Sequence, residues 1–120
     1  MKTVFAIIAL LAASLIASAV ERPNTVIHSV HLKWKEGTTP EQKQKVYAAI
    51  DQLAKDYPAI KRVWLRQIKM QTPEGFTDMI VMEFASEDAL AKYSNSPAQK
   101  KFYEVYMPLR EESRTNDVTN

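Results

Sequence analysis

Apolar and polar positions alternate through most of Thr25 to Lys35, in the run TVIHSVHLKWK, and alternation over that length predicts a β-strand. Successive side chains on a strand point to opposite sides. Val26, His28, Val30, Leu32 and Trp34 therefore share one face, and Ile27, Ser29, His31, Lys33 and Lys35 share the other. The first face is the apolar one, so it is predicted to be buried. It carries a single histidine.

The period then changes. Glu36-Gly37 breaks the strand and Thr39 can cap a helix, with Pro40 suited to its first position, Glu41 favouring the positive helix end and Gln42 completing a T-x-x-Q capping box. Val46, Ala49, Ile50, Leu53, Ala54 and Tyr57 recur at three- and four-residue steps, so this helix has one apolar stripe to bury, and Pro58 stops it. Ile60 to Met70 reads as a second strand whose two faces, one with Ile60, Arg62, Trp64, Arg66, Ile68 and Met70 and the other with Val63 and Leu65, do not declare which is inside. After the turn signal Thr72-Pro73-Glu74-Gly75, the run Phe76 to Ala85 puts Phe76, Asp78, Ile80, Met82 and Phe84 on one face and closes a hairpin. Ser86 caps a short helix with Glu87 and Asp88 in its first turn, and Ser96-Pro97-Ala98-Gln99 is a second capping box. The helix it opens has Phe102, Val105, Tyr106 and Leu109 as its stripe, and Pro108 must bend or end it. Ser113 to Thr119 is expected to be a last strand because the topology needs one to close, although Val118 is its one strong apolar anchor.

Strand, helix, strand, strand, helix pair and strand is the order of an α+β, ferredoxin-like βαββαβ fold with a four-stranded antiparallel sheet. Helices on one side leave the other sheet face uncovered, and Ile27, Val63, Leu65, Met79 and Val81 are assigned to it. An apolar face of this kind needs a partner. A homodimer in which two sheets face one another is the expected solution, since an isologous two-fold contact is the commonest way to cover such a patch.

The N-terminus is set apart from this pattern. Lys2 supplies a positive start, Val4 to Ile16 is nearly all apolar, and Ala17-Ser18-Ala19 matches A-x-A, so residues 1–19 read as a signal peptide and residues 20–120 as the folded domain. The apolar run is shorter than the roughly 20 residues of a spanning helix, which argues against an uncleaved anchor. The expected product is periplasmic or secreted, with no membrane association after cleavage. The balance of 16 Lys and Arg against 14 Asp and Glu is too even, and the cations too scattered, for nucleic acid. With no cysteine, a disulfide scaffold, a thiol nucleophile and a thiolate metal site are excluded.

Several motifs together resemble the stress-responsive A/B barrel (Dabb) family of dimeric α/β barrels. They are His28 with the Leu32-Lys33-Trp34-Lys35 strand ending, Pro58-Ala59-Ile60-Lys61, Glu74-Gly75-Phe76-Thr77 leading into Glu83-Phe84-Ala85-Ser86, and Tyr93 followed by Ser96-Pro97-Ala98 and Phe102. In that last segment family members commonly have H-P-A-H. A plant cyclase of the family closes a polyketide ring without a cofactor, using inward histidines and a tyrosine between the sheet and the first helix. His28 and Tyr93 fall on matching positions, whereas Asp78 and Gln99 stand where that enzyme has histidines. The resemblance implies a ligand pocket lined by Val30, Leu32, Val46, Tyr47 and Ile50.

The candidate chemistry rests on His28, Asp78 and Tyr93. The first and third strands are neighbours in this topology, so His28 and Asp78 are expected to interact on the buried side, with Tyr93 reaching the same space. A carboxylate beside an imidazole orients it and favours its charged form, as a proton-transferring histidine requires. The plainer alternative is a structural pair that satisfies two buried polar groups. His31, on the opposite face, belongs with the dimer contact or its rim. No metal site is expected, because His28 and Asp78 fall short of the usual three or more ligands, and no other cofactor is expected. Phosphate loops and G-x-S-x-G motifs are absent, which removes nucleotide chemistry and serine hydrolysis. Three classes stay open: a dimeric barrel binding a small apolar or aromatic molecule between sheet and first helix, a cofactor-independent cyclase-like or monooxygenase-like enzyme with His28 as base, and a structural stress protein without a ligand.

Overall fold

The computed structural model describes residues 19–71 and 74–120. The signal-peptide stretch up to Ser18, and Thr72 and Pro73 of the expected turn, lie outside the described residues. The elements are β1 (Val26–Trp34), α1 (Pro40–Asp56), β2 (Ile60–Trp64), β3 (Asp78–Phe84), α2 (Glu87–Tyr93), α3 (Pro97–Tyr106) and β4 (Arg110–Val118). The strands form one antiparallel sheet in the order β2-β3-β1-β4, which is the ferredoxin-like arrangement the element order predicts.

The local signals act as expected at the first helix. Thr39 Oγ1 accepts from the Gln42 N–H at 3.2 Å and Gln42 Oε1 accepts from the Thr39 N–H at 2.8 Å, a reciprocal capping box. Val46, Ile50 and Leu53 of α1 are sealed against Leu32, Ile80 and Phe84 of the sheet. Each such side chain contributes about 1.5–3 kcal/mol by leaving water. Tyr57, at the end of α1, donates its hydroxyl to the Ala89 carbonyl at 2.7 Å and so ties α1 to α2.

Three details depart from the expected pattern. β2 ends at Trp64, and past it the Gln67 side chain, in place of a backbone rung, donates to the Thr77 carbonyl. β4 starts at Arg110, earlier than the apolar content of the tail suggested, because backbone pairing to β1 needs no apolar side chains. The third concerns the faces of β2. Ile60 pairs with Phe84, but Arg62 pairs with Glu83, so Lys61 is an extra residue in a β-bulge. The bulge shifts alternation by one and brings Val63 and Leu65 to the helix side, where they pack against the core. The open face therefore carries Trp64 beside Ile27, Met79 and Val81, and not Val63 and Leu65 as assigned from alternation. Glu83 also lies on that face, only 2% exposed, because Arg62 Nη2 and Thr25 Oγ1 donate to its carboxylate at 3.0 and 2.7 Å.

Candidate active site

On the helix side, β1 places His28 between Met82 of β3 and Asp117 of β4. His28 Nδ1 lies 2.5 Å from Asp117 Oδ1, so the partner carboxylate comes from the last strand and not from Asp78. Register explains the difference. Asp78 pairs with Leu32, four residues further along β1, which is about 13 Å at the rise of a strand. The expected His28–Asp78 contact is thereby corrected.

Asp78 is committed elsewhere. It accepts Trp34 Nε1–H at 2.6 Å, the Tyr47 hydroxyl at 2.7 Å and the Thr77 hydroxyl at 2.7 Å. Burial pushes the Asp78 carboxyl up, but these three hydrogen bonds and the Lys43 charge outweigh it, and the group titrates below the ordinary carboxylate range. Burial, the hydrogen bond to Asp78 and its charge push the Tyr47 phenol well above its usual value. The cluster fastens α1 to the β1–β3 pair.

Tyr93 does reach His28. It is 3% exposed, and its ring meets the imidazole edge-on with centroids 6.5 Å apart, while Phe84 backs both rings at 5.0 and 5.8 Å. Burial, reinforced by Tyr103 and opposed by the Gln99 amide, drives the Tyr93 phenol well above its usual range, so at neutral pH it is a donor. Gln99 is itself held: its Oε1 accepts the Asn95 N–H at 2.6 Å and its Nε2 donates to the Tyr103 hydroxyl at 3.1 Å. The Asn95 bond replaces the reciprocal arm of the expected second capping box, while Ser96 Oγ still accepts the Gln99 N–H.

His28 and Tyr93 open on a cavity of about 410 Å³ between the β1–β4 half of the sheet and α2–α3. Its floor is His28, Val30, Ser113, Thr115 and Asp117, and its roof includes Tyr93, Gln99, Tyr103 and Tyr106. The space exists because the inward side of β4 is polar, so apolar helix faces do not seal onto it. Of the lining that the family resemblance implied, Val30 alone borders this cavity. Leu32, Val46 and Ile50 are fully buried in the core, and Tyr47 serves the Asp78 cluster. The cavity thus lies under α2 and α3, and not between the sheet and the first helix, because α1 packs too closely there to leave a space. Asp117 and Arg110 were not singled out from the sequence, and Tyr106 was placed there in the apolar stripe of the last helix and not in a site. Asp117 shares its face of the predicted last strand with Ser113 and Thr115, a two-residue signal that needed only the register to become legible. Among the described residues no group of three His, Cys, Asp or Glu side chains could hold a metal ion.

The model of the stress responsive A/B barrel domain matches residues 26–120. The chain belongs to this family. Among A/B barrel relatives, olivetolic acid cyclase of Cannabis sativa is 29% identical over 96 residues, covering 78% of this chain and 95% of the cyclase. A hydroxynitrile lyase from Passiflora edulis superposes with a TM-score of 0.70 at 20% identity, over 80% of this chain and 93% of the lyase. A dimeric ferredoxin-like protein of unknown function from Thermobifida fusca superposes with a TM-score of 0.67 at 16% identity, over 86% of this chain and 97% of that one. These structural likenesses establish the A/B barrel fold.

Proposed function

We propose that this A/B barrel protein is exported, works as a homodimer, and binds a small molecule with an apolar or aromatic body in the cavity beneath α2 and α3, where His28 acts on it as a base without a cofactor. The observation that carries the reading is the His28–Asp117 pair on the wall of that cavity, with Nδ1 and Oδ1 2.5 Å apart. An ionised carboxylate only accepts, so Nδ1 is the donor, and the neutral ring keeps its lone pair on Nε2. A proton leaving a carbon next to a substrate carbonyl goes to Nε2, and the electron pair passes to the carbonyl oxygen. Tyr93, kept protonated by burial, is the hydrogen-bond donor for that developing oxyanion. Asp117 is the positioning group and stabilises the imidazolium that forms. The cyclase and lyase among the relatives support small-molecule chemistry as the class.

The test is proton exchange. Aryl-substituted methyl ketones such as acetophenone and 4-phenylbutan-2-one, incubated with the protein in D2O, should exchange α-hydrogens faster than in buffer, as read by proton NMR. His28→Ala should return exchange to background with the dimer intact. Background exchange in the wild type would overturn the base assignment, and a lowered melting temperature as the sole effect of His28→Ala would make the pair structural.

A further inference from the structure

The end of the cavity away from His28 has a chemistry of its own. Tyr106 is 4% exposed, and its buried hydroxyl makes no well-aligned hydrogen bond among the described residues, although the Ser113 hydroxyl and the Arg110 guanidinium stand close enough to counter the burial that raises the phenol. A buried hydroxyl held only by loosely aligned neighbours keeps hydrogen-bonding capacity for a ligand. Arg110 stands beside it, with the guanidinium carbon 6.0 Å from the Tyr106 ring centroid and Nη1 donating to Ser113 Oγ at 3.1 Å. Arg110, Ser113 and Tyr106 all line the same cavity as His28.

The acidic neighbours of Arg110 along the chain are engaged by other cations: Glu111 by Lys33 at 3.6 Å and Glu112 by Arg114 at 3.4 Å. Among the described residues no carboxylate lies within ion-pair distance of Arg110. The one carboxylate on the cavity wall, Asp117, is held by His28. A permanently charged guanidinium with spare donors, a buried phenol and a serine hydroxyl thus converge with no acidic group among them.

We infer that Arg110, Tyr106 and Ser113 form an anion subsite that receives the carboxylate of the ligand, so that the ligand class is a small arylalkanoate or similar carboxylic acid. This rests on the binding reading proposed above and deepens it. Ser113 pairs with Leu32 and Asp117 with His28, four residues apart on both strands, or about 13 Å. A carboxylate anchored at Arg110 therefore leaves the body of the ligand along Val30 and Thr115 and its far end near the imidazole. Arg110 and Tyr106 serve to bind and align, and take no part in proton transfer.

Two probes of matched shape separate the possibilities: 4-phenylbutanoate and its uncharged amide, titrated into the isotope-labelled protein and followed by NMR shifts of the cavity residues. The carboxylate should bind at least about tenfold more tightly than the amide, as a charge-assisted contact to guanidinium requires. Arg110→Gln should remove that preference, bringing the carboxylate down to about the affinity of the amide. Tyr106→Phe, which keeps the ring, should weaken the carboxylate by several-fold. Equal binding of both probes to the wild type, or an undiminished carboxylate preference in Arg110→Gln, would overturn the subsite while leaving the pocket standing. If neither probe shifts any cavity resonance, the pocket reading falls and takes the subsite with it.

Discussion

The imidazole of His28 and the carboxylate of Asp117 meet across the β1–β4 pair at 2.5 Å, joining the start of the first strand to the end of the last. Asp117 keeps nearly half its side chain in water, so the contact orients the ring more than it holds the fold. Orientation has a direct readout. Nitrogen-15 chemical shifts of the imidazole should show Nδ1 protonated and Nε2 bare when the ring is neutral. In Asp117→Asn the amide can present N–H to Nδ1, and the tautomer should invert. A wild-type ring already protonated at Nε2 would contradict the base assignment.

The second carboxylate on that side of the sheet has a different duty. Asp78 accepts from Trp34, Tyr47 and Thr77, and Asn in its place would turn an amide N–H toward one of these donors. Asp78→Asn should cost about 1–3 kcal/mol at pH 7, measured by urea unfolding. Because the folded Asp78 carboxyl titrates below its unfolded value of about 3.9, its stabilisation is complete above that pH and is lost as pH falls toward the folded value. The gap between wild type and Asp78→Asn should therefore narrow below about pH 4. Taking the difference cancels Glu83, which Arg62 and Thr25 also hold below the ordinary range.

Within-element features were legible in the sequence. Alternation from Val26 to Trp34, the Thr39–Gln42 box and the stop at Pro58 are local matters of side-chain period and capping, and each appears in the fold. Relations between elements were less so. The faces of β2 turn on a bulge at Lys61 that alternation has no means to show, and the partner of His28 turns on register. Both Asp78 and Asp117 lie on the correct side of the sheet, and only the Leu32–Asp78 pairing tells which of them the imidazole meets. The cavity was misplaced for a related reason. Apolar lining marks where helices seal, and open space remained where β4 turned polar residues inward.

Gln99 stands at the corner between α2 and α3, directly over the cavity. Asn95, whose φ of 65° puts it in the left-handed region, gives its N–H to Gln99, and the other end of the amide reaches Tyr103. Gln99→Ala should cost about 1–2 kcal/mol for the two lost hydrogen bonds. Hydrogen exchange at the Asn95 amide should accelerate well beyond that of amides in α1. Uniform acceleration across all elements would instead mean a global effect and remove the corner from the account.

The open sheet face carries Ile27, Met79, Val81 and a Trp64 that is 46% exposed, while its one buried acid, Glu83, is already neutralised by Arg62. A face with its charge paired internally can meet a copy of itself without stranding an ion, which an isologous contact requires. The proposed dimer joins two copies of this face. Val81 sits on β3, one of the two central strands. Val81→Arg adds a cation to each of the two apposed faces, so each would bury a charge with no new partner. Sedimentation velocity should give twice the monomer mass for the wild type and the monomer mass for Val81→Arg, with an unchanged far-UV spectrum. A wild type that sediments as a monomer would remove the sheet-to-sheet dimer, and the exposed Trp64 would then need another partner.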